Sequence, residues 1–157
     1  MNEILGYLMK LGISMLLGLF IGYEREQQNK PAGMRDVMLV TLGATVFTLV
    51  ALETIKIGLQ YQPPIRYDFG RIIAYTIVSM GFLGSGVILR SKGSIEGITT
   101  ASLLWVMVGV GLFCGIGNFV LAIITSIFIY LILKLKYFKI KFETRRKNGR
   151  RRKSISS

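Results

Sequence analysis

The sequence contains no histidine and a single cysteine, Cys114, which lies inside an apolar run. Histidine is the commonest general base and metal ligand, and one cysteine can form neither a disulfide framework nor a cysteine metal site. Acidic residues are also scarce, at eight in 157. These shortages argue against a hydrolytic enzyme, so we expect a non-enzymatic protein with no catalytic residue, no metal ligand and no cofactor.

Apolar side chains, by contrast, are in excess and make up 52% of the sequence. A soluble protein of this length needs fewer apolar residues for its core, so the surplus predicts contact with lipid. Five apolar runs approach the roughly 20 residues with which a helix crosses the hydrocarbon of a bilayer. The predicted fold class is all-α, an integral membrane bundle of about five transmembrane helices. We place these helices at about residues 4–23, 37–55, 71–89, 98–114 and 116–133.

The first apolar run differs from a cleaved signal sequence. It follows Asn2 and Glu3 rather than a basic stretch, and no small-residue cleavage site comes after it. We therefore expect it to stay in the protein as a helix.

Basic residues indicate how such a bundle is oriented. Lys and Arg number three in residues 24–36, two in 90–97 and eleven in 134–157, all of which fall on one side if there are five crossings. The opposite loop, 53–70, has only Lys56 and Arg66. The positive-inside rule then predicts an outer N-terminus and a cytoplasmic C-terminus.

The segment 134–157 is predicted to be a basic, disordered cytoplasmic tail following a transmembrane domain of residues 1–133. Its clustered charges suit anionic lipid head groups, and they favour a membrane surface over nucleic acid. A tail that only fixes the orientation of the protein is an alternative interpretation.

Small residues predict which helix faces approach one another, because close packing replaces the hydrophobic effect between helices in lipid. The first span carries Ser14, Gly18 and Gly22 at intervals of four, and the fourth carries Gly111 and Gly115. In the third span we expect a similar role for three glycines, with tight packing or local unwinding as the alternatives. These are Gly81, Gly84 and Gly86.

Charged residues at the helix ends are the main functional candidates, since each costs a few kcal/mol at depth unless it is paired or reaches water. In the first inner hairpin, ion pairs of Glu24 or Glu26 with Arg35 would join two helices, although an ordinary solvated loop is equally compatible. At the outer end, Asp68 is placed to cap the third helix, and Arg71 needs water or a carboxylate such as Glu53.

The second inner hairpin connects the third and fourth spans through Arg90. Thr99 and Thr100 put hydroxyls in the first turn of the fourth helix, where they can bond free amides or other helices. Trp105, the only tryptophan, lies inside the span, so we expect it to face other helices.

These stretches, in this order, closely resemble the membrane domain of the MgtC/SapB family of bacterial inner-membrane proteins, over about residues 4–130. The most specific segments are residues 21–26, 31–35, 71–88 and 97–105. The resemblance implies five transmembrane helices, no known enzymatic activity and a multi-pass protein of the bacterial cytoplasmic membrane. The functional candidates that it suggests are Glu24, Arg25, Glu26, Arg35, Asp68, Arg71, Gly81, Gly84, Gly86, Arg90, Thr99, Thr100 and Trp105.

The sequence departs from the family pattern at two places. After the loop arginine, family members usually have threonine and histidine, whereas this chain has Asp36 and Val37. Many members also carry a folded cytoplasmic domain after the fifth helix, where this chain has only the basic tail. A role that depends on that histidine or that domain is not expected here.

The resemblance favours a regulatory protein that binds membrane partners under ion or pH stress, including low magnesium. Expected partners are other membrane proteins, among them the F-type ATP synthase by resemblance, or further copies of the chain. The alternative is a subunit of a cation or magnesium transporter or channel, for which Glu24, Glu26 and Asp36 would supply oxygen ligands at the inner mouth. A small pore-forming protein is a third hypothesis.

Overall fold

The computed structural model of the chain describes residues 2–61, 68–91 and 94–135, and it confirms the predicted all-α membrane bundle. Five helices lie in these residues: α1 (Asn2–Gln27), α2 (Met34–Gly58), α3 (Phe69–Val87), α4 (Ile98–Ile116) and α5 (Phe119–Leu135). The predicted tail lies outside the described residues from position 136 onward.

Four of these helices, α1 to α4, are long and apolar enough to cross a membrane. The shorter α5, Phe119–Leu135, is about 26 Å long at 1.5 Å per residue, near the lower limit for a spanning helix. The predicted spans of α1 and α2 were each too short at both ends. At these ends polar residues continue the helix, which hydropathy alone does not show.

The connection between α3 and α4 is a short antiparallel hairpin that the sequence did not predict. Strands β1 (Leu89–Ser91) and β2 (Ser94–Glu96) pair with Leu89 opposite Glu96. The third helix, which we placed at about 71–89, begins and ends two residues earlier in the structure, and Leu89 belongs to a strand.

Local signals in the sequence set several of the helix boundaries. Asp68 caps α3 as predicted, because its Oδ1 accepts a hydrogen bond from the Arg71 amide at 3.1 Å. Gly117, which follows the last residue of α4, has a φ of +94°, and its amide donates to the Phe113 carbonyl at 3.0 Å. Asn118 then caps α5, with its Oδ1 accepting from the Leu121 amide at 3.2 Å.

By its internal contacts the chain divides into two compact units, Met1–Ser126 and Ile127–Ser157. The first unit contains α1 to α4, the β-hairpin and the beginning of α5. Its core lies mainly along α2 and α4, where Val37, Ala51, Met107 and Val110 are completely buried. Of the second unit, the structure describes the last turns of α5.

The small residues of α1 form the contact with α2 that their spacing predicts. A Cβ atom added at Gly22 would lie 2.6 Å from the Met34 Cα, and one added at Gly18 would lie 2.8 Å from the Met38 Cα. Both distances are too short for real atoms. The two backbones therefore approach so closely that only glycine fits at these positions.

Helix α4 packs on α2 in the same way, through Gly111 and Gly115. A Cβ at Gly111 would meet the Thr41 carbonyl, and one at Gly115 would meet the Thr48 side chain. The Thr45 hydroxyl, between these two threonines, donates to the Gly111 carbonyl at 2.9 Å.

Of the three glycines in α3, only Gly84 packs within the chain as expected, since its added Cβ would lie 3.6 Å from the Ala101 Cβ. Cβ atoms at Gly81 and Gly86 would have no described atom within 4 Å. The expectation of dense packing was therefore wrong for these two, because α3 buries one narrow face that holds Met80 and Gly84. The helix continues through all three glycines without unwinding.

Candidate functional site

The central contact of the candidate site joins α1 to α4. Arg25, in the last turn of α1, donates a hydrogen bond from Nη2 to Oγ1 of Thr100, in the first turn of α4. Arg25 is only 4% exposed and Thr100 only 2%. A buried guanidinium is costly unless its donors are used, so this hydrogen bond fixes the two helix ends to each other.

Glu24 precedes this arginine and is itself buried, at 6% exposure. Its Oε1 accepts a hydrogen bond from the Gln28 side chain. Its other oxygen, Oε2, has no hydrogen-bond partner among the described residues, and neither has Nε of Arg25. The opposite charges of these neighbours compensate each other in part, and the pair retains unused capacity to bind hydrogen-bonding groups.

Glu26 holds the loop between α1 and α2. Its Oε2 accepts a hydrogen bond from the Met34 amide at 3.0 Å, at the first residue of α2. A carboxylate is favoured here because the first amides of a helix are unpaired and the helix dipole is positive. The loop also requires left-handed backbone at Asn29 and Ala32, with φ values of +50° and +60°.

Arg35 does not form the ion pair that we expected. Within the described part of the chain, no salt bridge joins it to Glu24 or Glu26, and its side chain is exposed. The helix ends are held together instead by the Glu26 bond to the α2 amide and by the Arg25 bond to Thr100. The sequence pattern identified Glu26 as a residue that joins the two helices, but it named Arg35 as the partner instead of the Met34 amide.

Asp36 completes the beginning of α2, since its Oδ2 accepts a hydrogen bond from the Gly33 amide at 3.0 Å. Gly33 is also close to Glu26, whose Oε2 would lie 2.9 Å from a Cβ added at Gly33. The two acids therefore hold consecutive amides of one turn, those of Gly33 and Met34. Both carboxylates stabilise the loop directly.

The α3–α4 connection brings Thr100 into place through Gly97. This glycine has a φ of +89°, and a Cβ here would collide with the Val87 carbonyl. Its own carbonyl accepts from the Ala101 amide at 2.9 Å, which begins α4. The turn therefore depends on glycine both for its backbone conformation and for the space beside Val87.

Other candidates in this region lie on the surface of the chain. Thr99 is exposed, and Trp105 is 54% exposed. The expectation that Trp105 faces other helices was therefore wrong for the described part of this chain, because it lies on the side of α4 opposite the buried Leu103 and Met107. Arg90 contributes its backbone to β1, paired with Ile95.

Asp68 and Arg71 lie at the beginning of α3, at the opposite end of that helix from this site. The Arg71 Nε is 3.7 Å from the Asp68 Oδ2, and both side chains are mostly exposed. Such a pair contributes little to stability. Glu53, which we considered as a partner for Arg71, instead accepts hydrogen bonds from Tyr7 and Lys56, the second at 2.8 Å.

Sequence reasoning missed a row of buried polar side chains in α2. Thr41, Thr45 and Thr48 are fully buried, and each donates to the carbonyl four residues earlier. Their spacing of four and three, on the helix face that Val37 and Ala44 share, is the signal that could have revealed them. Within the described residues, no three His, Cys, Asp or Glu side chains are grouped so that they could hold a metal ion.

Comparison with known proteins now identifies the family. The chain is 34% identical to an uncharacterized protein of Haemophilus influenzae over 145 residues, which cover 92% of this chain and 61% of that protein. It is 39% identical to protein MgtC of Salmonella typhimurium over 78% of this chain and 49% of that protein. It is 37% identical to protein SapB of Bacillus subtilis over 79% of this chain and 53% of that protein.

The chain thus spans about half to three fifths of the length of these relatives. No solved structure matches it. The sequence profile described as the MgtC family matches residues 11–141, which include most of α1 and all of α2 to α5. The chain belongs to the MgtC family.

Proposed function

We propose that this protein is a regulatory protein of the bacterial inner membrane, and that it acts by binding other membrane proteins under ion or pH stress. The observation that carries the proposal is the outer face of α3. Ala74, Gly81 and Ser85 are exposed there at intervals of seven and four, beside Val78 and Phe82, which are 71% and 82% exposed. We call these five residues the α3 outer face.

Small residues at this spacing allow another helix to approach closely, which is how helices associate in lipid. Within the chain, the Gly18–Gly22 and Gly111–Gly115 pairs are both covered by α2. Gly81 has no described atom within 4 Å of its added Cβ, so the comparable surface on α3 is open. A helix of a partner protein would fill it.

The rest of the site supports a scaffold that presents this face. The hydrogen bonds of Arg25 and Glu26 fix the ends of α1, α2 and α4, and Gly84 of α3 packs against Ala101 of α4. Membership in the MgtC family is consistent with the response to low magnesium that the family resemblance implies.

Cross-linking from the α3 outer face tests the proposal. A photo-crosslinking amino acid placed at Val78 should capture a membrane protein in living cells, and Gly81→Leu should abolish that capture. Gly6→Leu is the matched control, because a Cβ at Gly6 also has open space but lies on α1. Purification that retrieves only the protein itself would count against a regulatory role through partners.

A growth assay connects this surface to stress. A deletion strain grown at low magnesium should be rescued by the intact protein and by Gly6→Leu, and not by Gly81→Leu. Equal rescue by both variants would show that the α3 outer face has no part in the response.

A cation transporter or channel subunit is the second candidate, and buried Glu24 is the observation that favours it. Its Oε2 lacks a hydrogen-bond partner among the described residues and so retains an acceptor for a cation or its water. If flux of magnesium into vesicles containing the protein is unchanged by Glu24→Gln, this candidate loses its support.

A further inference from the structure

A continuous groove runs between α2 and α3 on the side of α3 away from Gly81. Two cavities form it, of about 580 Å³ and about 200 Å³. Both are lined by Leu39 and Val40 of α2 and by Met80 and Leu83 of α3, so they adjoin. We call this feature the α2–α3 groove.

The α2–α3 groove has the length of a hydrocarbon chain in one leaflet. Along α2, its lining residues extend from Asp36 to Phe47, a distance of about 16 Å at 1.5 Å per residue. One leaflet contributes about half of the roughly 30 Å hydrocarbon core, or about 15 Å. The groove walls are mostly apolar along this whole length, with Gly43 and Phe47 at the deeper end.

The other end of the groove carries negative charge. Asp36 and Glu96 are the charged members of the described lining, and both are exposed. Asp36 uses Oδ2 for the Gly33 amide, which leaves Oδ1 for a ligand. Lys30 and Arg35 are chain neighbours of the lining residues Pro31 and Asp36, so positive charge adjoins the acidic mouth in the sequence.

We infer that the α2–α3 groove binds an ethanolamine phospholipid, with one acyl chain along the groove and the ammonium group at Asp36 and Glu96. In this arrangement the phosphate of the lipid would pair with the neighbouring basic residues, Lys30 and Arg35. The α2–α3 groove is distinct from the α3 outer face, because residues two apart on a helix, such as Leu83 of the groove and Gly81 of the outer face, point in nearly opposite directions. The inference therefore goes beyond the proposed function.

The shape of the groove suits an acyl chain. The two cavities, of about 580 Å³ and about 200 Å³, adjoin along α2 over a length of about 16 Å. A single hydrocarbon chain is narrow and flexible, so it can follow this length.

Spin-labelled lipids test the head-group preference. Protein in nanodiscs would be mixed with phosphatidylethanolamine or phosphatidylglycerol labelled on the acyl chain, and the motionally restricted fraction measured by electron paramagnetic resonance. We expect about a tenfold preference for the ethanolamine lipid, which corresponds to about 1.4 kcal/mol, because its ammonium group can pair with both exposed carboxylates. Asp36→Asn combined with Glu96→Gln should remove the preference, whereas Asp68→Asn, at the other end of α3, should keep it.

A second pair of variants tests the chain site itself. A Cβ at Gly43 has open space, so Gly43→Leu fills the groove without a backbone collision, and Gly12→Leu is the equally open control on α1. Gly43→Leu should lower the restricted fraction of the ethanolamine lipid, and Gly12→Leu should leave it unchanged. Because the α3 outer face is intact in both, partner cross-linking from Val78 should persist.

Three results would overturn the inference. The first is equal restriction of both lipids by the intact protein, which would indicate a groove that takes any acyl chain. The second is an unchanged restricted fraction in Gly43→Leu. The third is efficient disulfide cross-linking between two copies carrying Gly43→Cys in a Cys114→Ser background, which would show that a second copy covers the groove.

Discussion

The Arg25 guanidinium and the Thr100 hydroxyl are hydrogen-bonded to each other in the interior of the protein, although 75 residues separate them in the chain. Neither side chain is accessible, and Arg25 follows a buried acid. A charged group in such surroundings must be held by specific partners, or the helix end moves toward water. This pair therefore connects the end of α1 to the beginning of α4. It thereby couples the α1–α2 loop to the β-hairpin between α3 and α4.

Removal of the Thr100 hydroxyl tests how much this connection stabilises the bundle. Thr100→Val keeps the shape of the side chain and leaves a buried donor unpaired, so we expect a loss of about 1–3 kcal/mol of stability. Circular dichroism during thermal unfolding in detergent micelles would measure it. Thr99→Val is the control, because Thr99 is exposed and its loss should change stability by less than about 0.5 kcal/mol.

Equal midpoints for these two variants would show that the Arg25–Thr100 bond contributes nothing to stability. A stable Thr100→Val protein that nevertheless fails to rescue growth at low magnesium would place the role of the threonine in function instead.

Much of this fold could be predicted because lipid imposes simple requirements on a sequence. The five helices, the glycine contacts of α1 and α4 and the Asp68 cap all followed from hydropathy, spacing and residue type. The β-hairpin did not, because each of its strands has only three residues and carries no alternating pattern. The pairing of Arg25 with Thr100 was equally out of reach, since it depends on how α1 and α4 meet.

The contact between α1 and α2 provides a second prediction. Gly22→Ala puts a methyl group 2.6 Å from the Met34 Cα, and backbone cannot move aside cheaply. We expect a loss of about 1–3 kcal/mol, as for other overpacked sites. Gly12→Ala, on the same helix with open space around it, should unfold at or slightly above the midpoint of the unaltered protein, because alanine favours a helix over glycine. If Gly22→Ala also unfolds there, α1 and α2 are less closely packed than the structure shows.

The turn at Gly97 provides a third prediction. Gly97→Ala demands a left-handed backbone of a residue with a side chain, at a cost of about 1–2 kcal/mol, and adds a collision with the Val87 carbonyl. The β1–β2 connection should then open more often. Trypsin should cleave at Arg90 or Lys92 faster in this variant than in the unaltered protein.

Gly43→Ala is the matched control for the turn, since its added Cβ meets no described atom within 4 Å. It should leave the trypsin cleavage rate unchanged. Slow cleavage in both variants would show that the hairpin does not depend on the conformation of Gly97.

Orientation in the membrane is the last prediction, and it rests on charge. The basic residues between 24 and 36 and between 90 and 97 predict that the α1–α2 loop faces the cytoplasm, and that the end of α2 near Gln60 faces outward. In a Cys114→Ser background, Gln60→Cys should react in intact cells with a thiol reagent that does not cross the inner membrane. Lys30→Cys should react only after the cells are lysed. The reverse pattern would place the acidic mouth of the α2–α3 groove on the outer side, and the ethanolamine lipid would then be drawn from the outer leaflet.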